Sequence, residues 1–291
     1  MDFAALQFFK AVVDEGGISA AAKKLHRVQS NVTTRIKQLE ASLGTQLFIR
    51  DKRRLVLSPA GEMFLGYAEQ LLQLSKQARG AVLGKTPQGT LRIGTLESTA
   101  ASRLPPLLSR YHRKYPAVRI ELTTGTNDAL LEAVLARKLE AAFVVESAGA
   151  AQLDVMPTFD EELVVVAPKF HPKIRNARDV RADTVIAFPA GCAYRRRLQK
   201  WFAASDLVPE RVLELSSYHA IVACVASGTG IAVMPQSVLN TVRGGENLSV
   251  SPLAKSRVTT CLVWRKGESS PALNVLKAEI VEFKKARKTA D

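Results

Sequence analysis

In "HRVQSNVTTRIKQLE", residues 26–40, two patterns are superimposed on one helix. Val32, Ile36, Leu39 and Leu43 recur at steps of four, three and four, the spacing that lines one side of a 3.6-residue helix and buries it. The other side carries Gln29, Ser30, Asn31, Thr33, Thr34, Arg35 and Lys37, rich in short amides and hydroxyls, where a merely solvated helix more often carries Glu, Lys and Arg. Amides and hydroxyls are the groups that read base edges and phosphates. One face is therefore predicted to be core and the other to meet a nucleic acid.

The flanking sequence supports that expectation. Phe3, Leu6, Phe9 and Val13 follow helical spacing, and Gly16 and Gly17 end that helix where a left-handed residue is wanted. Ser19 is expected to cap a short second helix, "AAAKKL", and about four residues, His26 to Gln29, separate it from the third. A helix-turn-helix results, although any helical hairpin has this outline. Beyond it, "LFIRDKRRLVLSPAG" places two short apolar runs around a basic tip, as in a two-stranded wing. Such a tip is ordinarily just solvated. Beside a recognition helix, however, Arg50, Lys52, Arg53 and Arg54 are expected to lie along the same duplex, on phosphates or in a minor groove.

Ser58 and Pro59 are a helix start, a capping hydroxyl followed by proline at the first helical position. The helix is predicted to run to about residue 84, with Phe64, Tyr67, Leu71, Leu74 and Ala78 at alternating steps of three and four, the signature of a dimer seam. Residues 85–89 then read as a hinge. After it the pattern alternates strands ("TLRIGTL", "VRIELTTG", "AAFVVE") with helices, as in a parallel α/β sheet, and then repeats through "LVVVAP", "TVIAF", "VLELSSY", "IAVMP" and "CLVWRK". Two α/β lobes enclosing a cleft are expected. The predicted organisation is a winged helix-turn-helix at 1–58, a linker helix at 59–84, and an effector-type domain at 90–291. Its first lobe takes about 90–160 and 265–291, its second about 161–264.

Lys plus Arg outnumber Asp plus Glu by 41 to 27, a formal charge of +14 that favours a polyanionic partner. The three cysteines, Cys192, Cys224 and Cys261, are too scattered for a disulfide framework or a zinc site, which suits a reducing cytoplasm. The amino terminus, with an acid at position 2 and periodic apolar residues, does not read as a signal peptide, and no apolar run is long enough to span a membrane.

Taken together, residues 1–84 resemble the LysR-type transcriptional regulators, and residues 90–291 resemble that family's periplasmic-binding-protein-like effector domain. The match is carried by "ISAAAKKLHRVQSNVTTRIKQLEASLGTQLFIRDKRRLVLSPAGE", in which Ala21, Ala22, Leu25, Gln29, Leu39, Glu40, Leu43, Gly44, Leu47, Phe48, Arg50, Leu57 and Gly61 fall on the family pattern. Thr33 and Thr34 stand where many members have Ser and Arg, and Arg27 and Val28 replace a common Val-Ser. "HRVQSNVTTR" and "GCAYRRR" are similar to a subgroup that includes putrescine-utilisation regulators. The resemblance implies a cytoplasmic homodimer or homotetramer that binds double-stranded operator DNA, meets RNA polymerase at the promoter and responds to a small metabolite, without a cofactor.

For the effector, the carboxyl ends of lobe strands and the following helix starts are the expected site. They bring forward Thr95, Glu97, Ser98, Thr99, Thr126, Asn127, Cys192, Tyr194, Arg195 and, through the resemblance, Thr229. The backbone donors of these three helix starts suit an anion and Arg195 strengthens that preference, whereas Glu97 and Glu146 suit an amine, so a small polar effector bearing a carboxylate, an amino group or both is expected. The rival classes place a redox-sensing thiol at Cys192, or a cysteine enzyme with His219 as base, although no third group orients that histidine. "GTGIAV", residues 228–233, precedes a strand, the reverse of the dinucleotide-binding order, and His26, His112 and His171 are too scattered for a metal.

Overall fold

The structure is a computed structural model that describes residues 1–51, 54–82, 87–145, 151–180 and 184–288. Lys52, Arg53, Glu146 and part of the expected hinge lie outside the described residues. The chain divides into two compact units, Met1–Lys85 and Thr86–Asp291.

The first unit contains α1 (Phe3–Asp14), α2 (Ile18–Lys24), α3 (Gln29–Leu43), a hairpin of β1 (Phe48–Asp51) and β2 (Arg54–Leu57), and α4 (Pro59–Val82). Asp2 caps α1 by accepting the Ala5 N–H at 2.7 Å, and Gly16 adopts the expected left-handed turn, φ +69°. The expected cap of α2 is displaced. Gly17 holds that position and Ser19 lies in the first turn, because the helix already starts at Ile18, which packs on the core. Val32, Ile36 and Leu39 of α3 are buried with Phe9, Val12 and Ala21, whereas Leu43, in the last turn, is 37% exposed.

Two contacts fix the wing. The half-buried Glu40 carboxylate accepts the N–H groups of Leu47 (2.8 Å) and Phe48 (3.1 Å), and Ser58 Oγ donates to Gln46 O at 2.6 Å while accepting the Gly61 N–H. A Cβ at Gly61 would stand 2.1 Å from Leu47 O, so only glycine lets α4 approach the start of β1. The seam needs redrawing. Phe64 and Leu71 pack on their own unit's core beside the fully buried Ala68, with the Phe64 ring edge-on to Phe9 at 5.1 Å, while Tyr67 (60%), Leu74 (61%) and Ala78 are exposed. Met63, 70% exposed, extends that outer stripe at helical spacing. The predicted row mixes two adjacent faces, since steps of three and four fit both.

The second unit runs β3 (Gly89–Thr95), α5 (Glu97–Ser102), α6 (Leu104–Lys114), β4 (Val118–Thr124), α7 (Asn127–Leu135), β5 (Ala141–Val145), β6 (Leu153–Pro168), β7 (Thr184–Ala187), α8 (Ala193–Ala203), β8 (Arg211–Glu214), α9 (Tyr218–Ala226), β9 (Ile231–Pro235), α10 (Gln236–Leu239), β10 (Leu248–Arg265) and α11 (Pro271–Lys288). Its strands are ordered β4-β3-β5-β10-β6-β9-β7-β8. β3, β4 and β5 pair in parallel, as do β7, β8 and β9; α6 and α11 pack over an apolar core of the first group and α9 and α10 over one of the second, while α7 and α8 belong to a core that the two groups share. The long antiparallel pair β6 and β10 passes through both groups.

That pair corrects the expected lobe boundary. The sequence pattern puts Cys261–Trp264 in the second lobe, but they pair with Val144–Ala141 of β5 in the first. The register shift between Pro252 and Arg257 marks where β10 leaves β9's side of the sheet for β5's. Buried and exposed residues alternate on both sides of that shift, in Ser251 to Leu253 and in Arg257 to Thr260, so the pattern does not mark the change of neighbours. In β9's approach, a Cβ at Gly230 would stand 1.9 Å from Thr184 O, which gives the "GTG" run a packing role.

Candidate functional site

Across α3, Gln29, Ser30, Asn31, Thr34, Arg35 and Lys37 are exposed and Thr33 is half-buried, its hydroxyl donating to Gln29 O at 2.9 Å. The buried stripe beneath fixes the helix, so these side chains form one outward face. Gln29 is partly engaged: its Nε2 donates to Ser19 Oγ, a bond across the turn that sequence reasoning missed. Arg35 lies 3.8 Å from Asp2. Arg50 and Arg54 sit on the two wing strands, opposite Leu55 and Asp51 respectively.

In the second unit, a cavity of about 240 Å³ opens between the two strand groups. Glu97 and Ser98 from α5, Thr124 and Thr126 from the turn before α7, and Cys192 and Tyr194 from the start of α8 line it, joined by Phe188, Ser216 and Tyr218. The walls are tied together. Ser98 Oγ and the Tyr194 hydroxyl stand 3.3 Å apart, and Arg196 Nη1 donates to both Asp128 oxygens at 3.1 and 3.0 Å across the mouth. Of the expected effector residues, Glu97, Ser98, Thr126, Cys192 and Tyr194 come together here.

The others do not. Thr95 is fully buried with its hydroxyl donating to Leu96 O, Thr99 is 1% exposed within α5, and the Asn127 side chain accepts the Val145 N–H at 2.8 Å. All three are packing or capping groups behind the wall. Arg195 turns to the far side of α8, where it donates to Phe188 O and pairs with Glu214. Thr229 is exposed at the amino end of β9, near the start of β7, whereas the cavity lies at the carboxyl ends of those strands. Phe188, Ser216 and Tyr218 were missed, although each follows a strand's carboxyl end, the rule that selected Tyr194.

The cavity's titratable groups are displaced by burial. Desolvation raises the Glu97 carboxyl above its ordinary range, against the Tyr218 N–H that donates to it and the charge of His219. Burial likewise raises the Tyr194 and Tyr218 phenols. It also raises Cys192, outweighing the N–H groups of Arg195 and Tyr194 and the charges of Arg196 and Arg195. Cys192 is thus held as a thiol, a poor nucleophile and a poor peroxide target. Among the described residues, no group of His, Cys, Asp and Glu is arranged to hold a metal, and no helix is long and apolar enough to cross a membrane.

Comparison with known proteins covers nearly the whole chain. Residues 84–284 match the LysR substrate binding domain, and residues 3–62 match the bacterial regulatory helix-turn-helix protein, lysR family. The HTH-type transcriptional regulator GltR of Bacillus subtilis (strain 168) is 38% identical over 240 residues, 82% of this chain and 81% of GltR. YusT, an uncharacterized HTH-type transcriptional regulator of the same strain, is 37% identical over 269 residues, 91% of this chain and 90% of YusT. The crystal structure of full-length CbnR complexed with its target DNA shares the fold with a TM-score of 0.69 at 24% identity, covering 97% of this chain and 99% of that one.

Proposed function

Because the chain belongs to the LysR family of DNA-binding transcriptional regulators, we propose that α3 and the wing bind operator DNA and that a small polar metabolite in the cavity controls that binding. Gln29, Ser30, Asn31, Thr33 and Thr34 read or flank base edges in the major groove, while Arg35, Lys37, Arg50, Lys52, Arg53 and Arg54 hold phosphates or enter the adjacent minor groove. The outer stripe of α4, Met63, Tyr67, Leu74 and Ala78, pairs two copies, so the operator is an inverted repeat. Residues 85–89 are the hinge through which the effector domain acts, and RNA polymerase is the partner at the promoter.

The observation that carries the effector reading is the cavity itself, polar at its edges and built from both strand groups, so that a ligand touches both walls. The ligand acts by its differential affinity for the open and closed forms. Glu97, Ser98, Thr126, Cys192 and Tyr194 contact it. "HRVQSNVTTR" lies in the DNA-binding unit and "GCAYRRR" supplies only the start of α8, so the likeness to putrescine-utilisation regulators assigns no effector. A thermal-shift screen of amino acids, amines and carboxylates tests the reading, since a ligand at 100 times its Kd adds about 2.7 kcal/mol. A polar hit whose shift is lost in Ser98→Ala and Tyr194→Phe together supports it. A screen in which only wholly apolar compounds stabilise the protein contradicts it.

A further inference from the structure

Glu97 Oε2 is buried in the cavity wall with no hydrogen-bond partner, while the Tyr218 N–H donates to the same carboxylate. A buried acceptor left unpaired destabilises the empty protein and is satisfied when a ligand donates to it. Among the described residues that line the cavity, Glu97 is the only one with a formal charge. The nearby arginines are committed elsewhere, Arg195 to Glu214 and Arg196 to Asp128, and His219, whose charge also acts on Glu97, does not line the cavity. Aromatic rings share the cavity wall with the carboxylate, Phe188 and Tyr218 at 4.7 Å between centroids, and Tyr194 also lines it. Ring faces attract a cation and accept a hydrocarbon chain equally well. The cavity, about 240 Å³, is below the roughly 300–1,000 Å³ typical of pockets for drug-sized ligands.

We propose, building on the cleft as the effector site, that the effector is a small primary-amine compound whose ammonium group donates to Glu97 Oε2, with its hydrocarbon part against Phe188 and Tyr218. A free carboxylate meets no cationic side chain among the described lining residues and faces Glu97 instead. Arg195, which strengthened the carboxylate half of the sequence expectation, is turned away from the cavity.

Calorimetry and thermal shift on the full chain, with pentylamine, pentanoate and pentanol as probes of one length, test this. Pentylamine is expected to bind at least about tenfold more tightly than the other two, as loss of a charge-assisted bond requires. In Glu97→Gln that preference disappears and pentylamine binds about tenfold more weakly, while the variant's own melting temperature shows it folded. The proposal is overturned if pentanoate matches pentylamine, if Glu97→Gln binds pentylamine as the parent does, or if none of the three binds. Thr124→Trp, at an exposed wall position, separates this from the cleft reading. Pentanoate binding that is lost in Thr124→Trp leaves the cleft in place and removes the ammonium, whereas pentylamine binding that survives there removes both.

Discussion

Glu97 is kept in a position that costs the empty protein stability, and the cost has a definite pH dependence. Its carboxyl is raised above the ordinary 4.5 by burial, so the folded chain holds that proton more tightly than the unfolded one. Stability is then lost as pH rises from about 4.5 through the raised range, because the unfolded state ionises first. Of the titratable groups around it, burial raises Tyr194, Tyr218 and Cys192, which stay neutral near pH 7, and the charge of His219 pulls the other way. Glu97→Gln is therefore expected to melt higher than the parent at about pH 7, with the difference closing below about pH 4. A lower melting point for the variant at pH 7 means the carboxylate is stabilised in the empty protein, and the argument for an amine fails. At the other end of the chain, Gln29→Ala removes an amide that is proposed to read DNA and that ties α3 to Ser19. Ser19→Ala frees that amide without deleting it. Gln29→Ala should relax sequence preference while Ser19→Ala retains it, as anisotropy titrations on matched duplexes will show; equal preference in all three proteins excludes Gln29 as a reader.

At the scale of elements, α3 was legible because its apolar stripe has an unambiguous period. α4 was legible as a helix but not in its orientation. Met63, Tyr67 and Leu74 lie about one residue's rotation from the Phe64 and Leu71 row, and only packing decides which row the core takes. Leu74→Glu is thus expected to yield a folded monomer with little change in melting temperature, whereas Leu71→Glu melts several degrees lower by placing a charge against the core. Ultracentrifugation beside a melting curve separates the two, and a dimeric Leu74→Glu protein sinks the outer stripe as the interface. Glu40 was matched to the family pattern without a role, since nothing local says that its carboxylate will reach two N–H groups seven and eight residues on. Glu40→Ala leaves both donors unpaired and should cost about 1–3 kcal/mol in denaturant unfolding. A loss within experimental error would assign the wing's stability elsewhere.

For the whole molecule, strand alternation announced two α/β groups, and it hid the crossing of β6 and β10, because their change of neighbours depends on pairing partners far away in sequence. The same limit applied to the cavity. Residues at strand ends were found by position, but whether Arg195 or Arg196 looked inward depended on a single step along α8 and on Glu214 and Asp128, far away in sequence. The charge of +14 and the outward polar face of α3 point to one activity, sequence-specific recognition of a duplex. Lys37→Ala should weaken binding to all sequences alike and flatten the slope of log K against log salt by about one unit. Selection by the full chain from a pool of duplexes with fully randomised sequence tests the central claim most directly. The account predicts enrichment of one inverted repeat by the parent protein, and weakened or altered enrichment by Gln29→Ala; a pool that remains random after repeated rounds, with affinity set by length and salt alone, would contradict it.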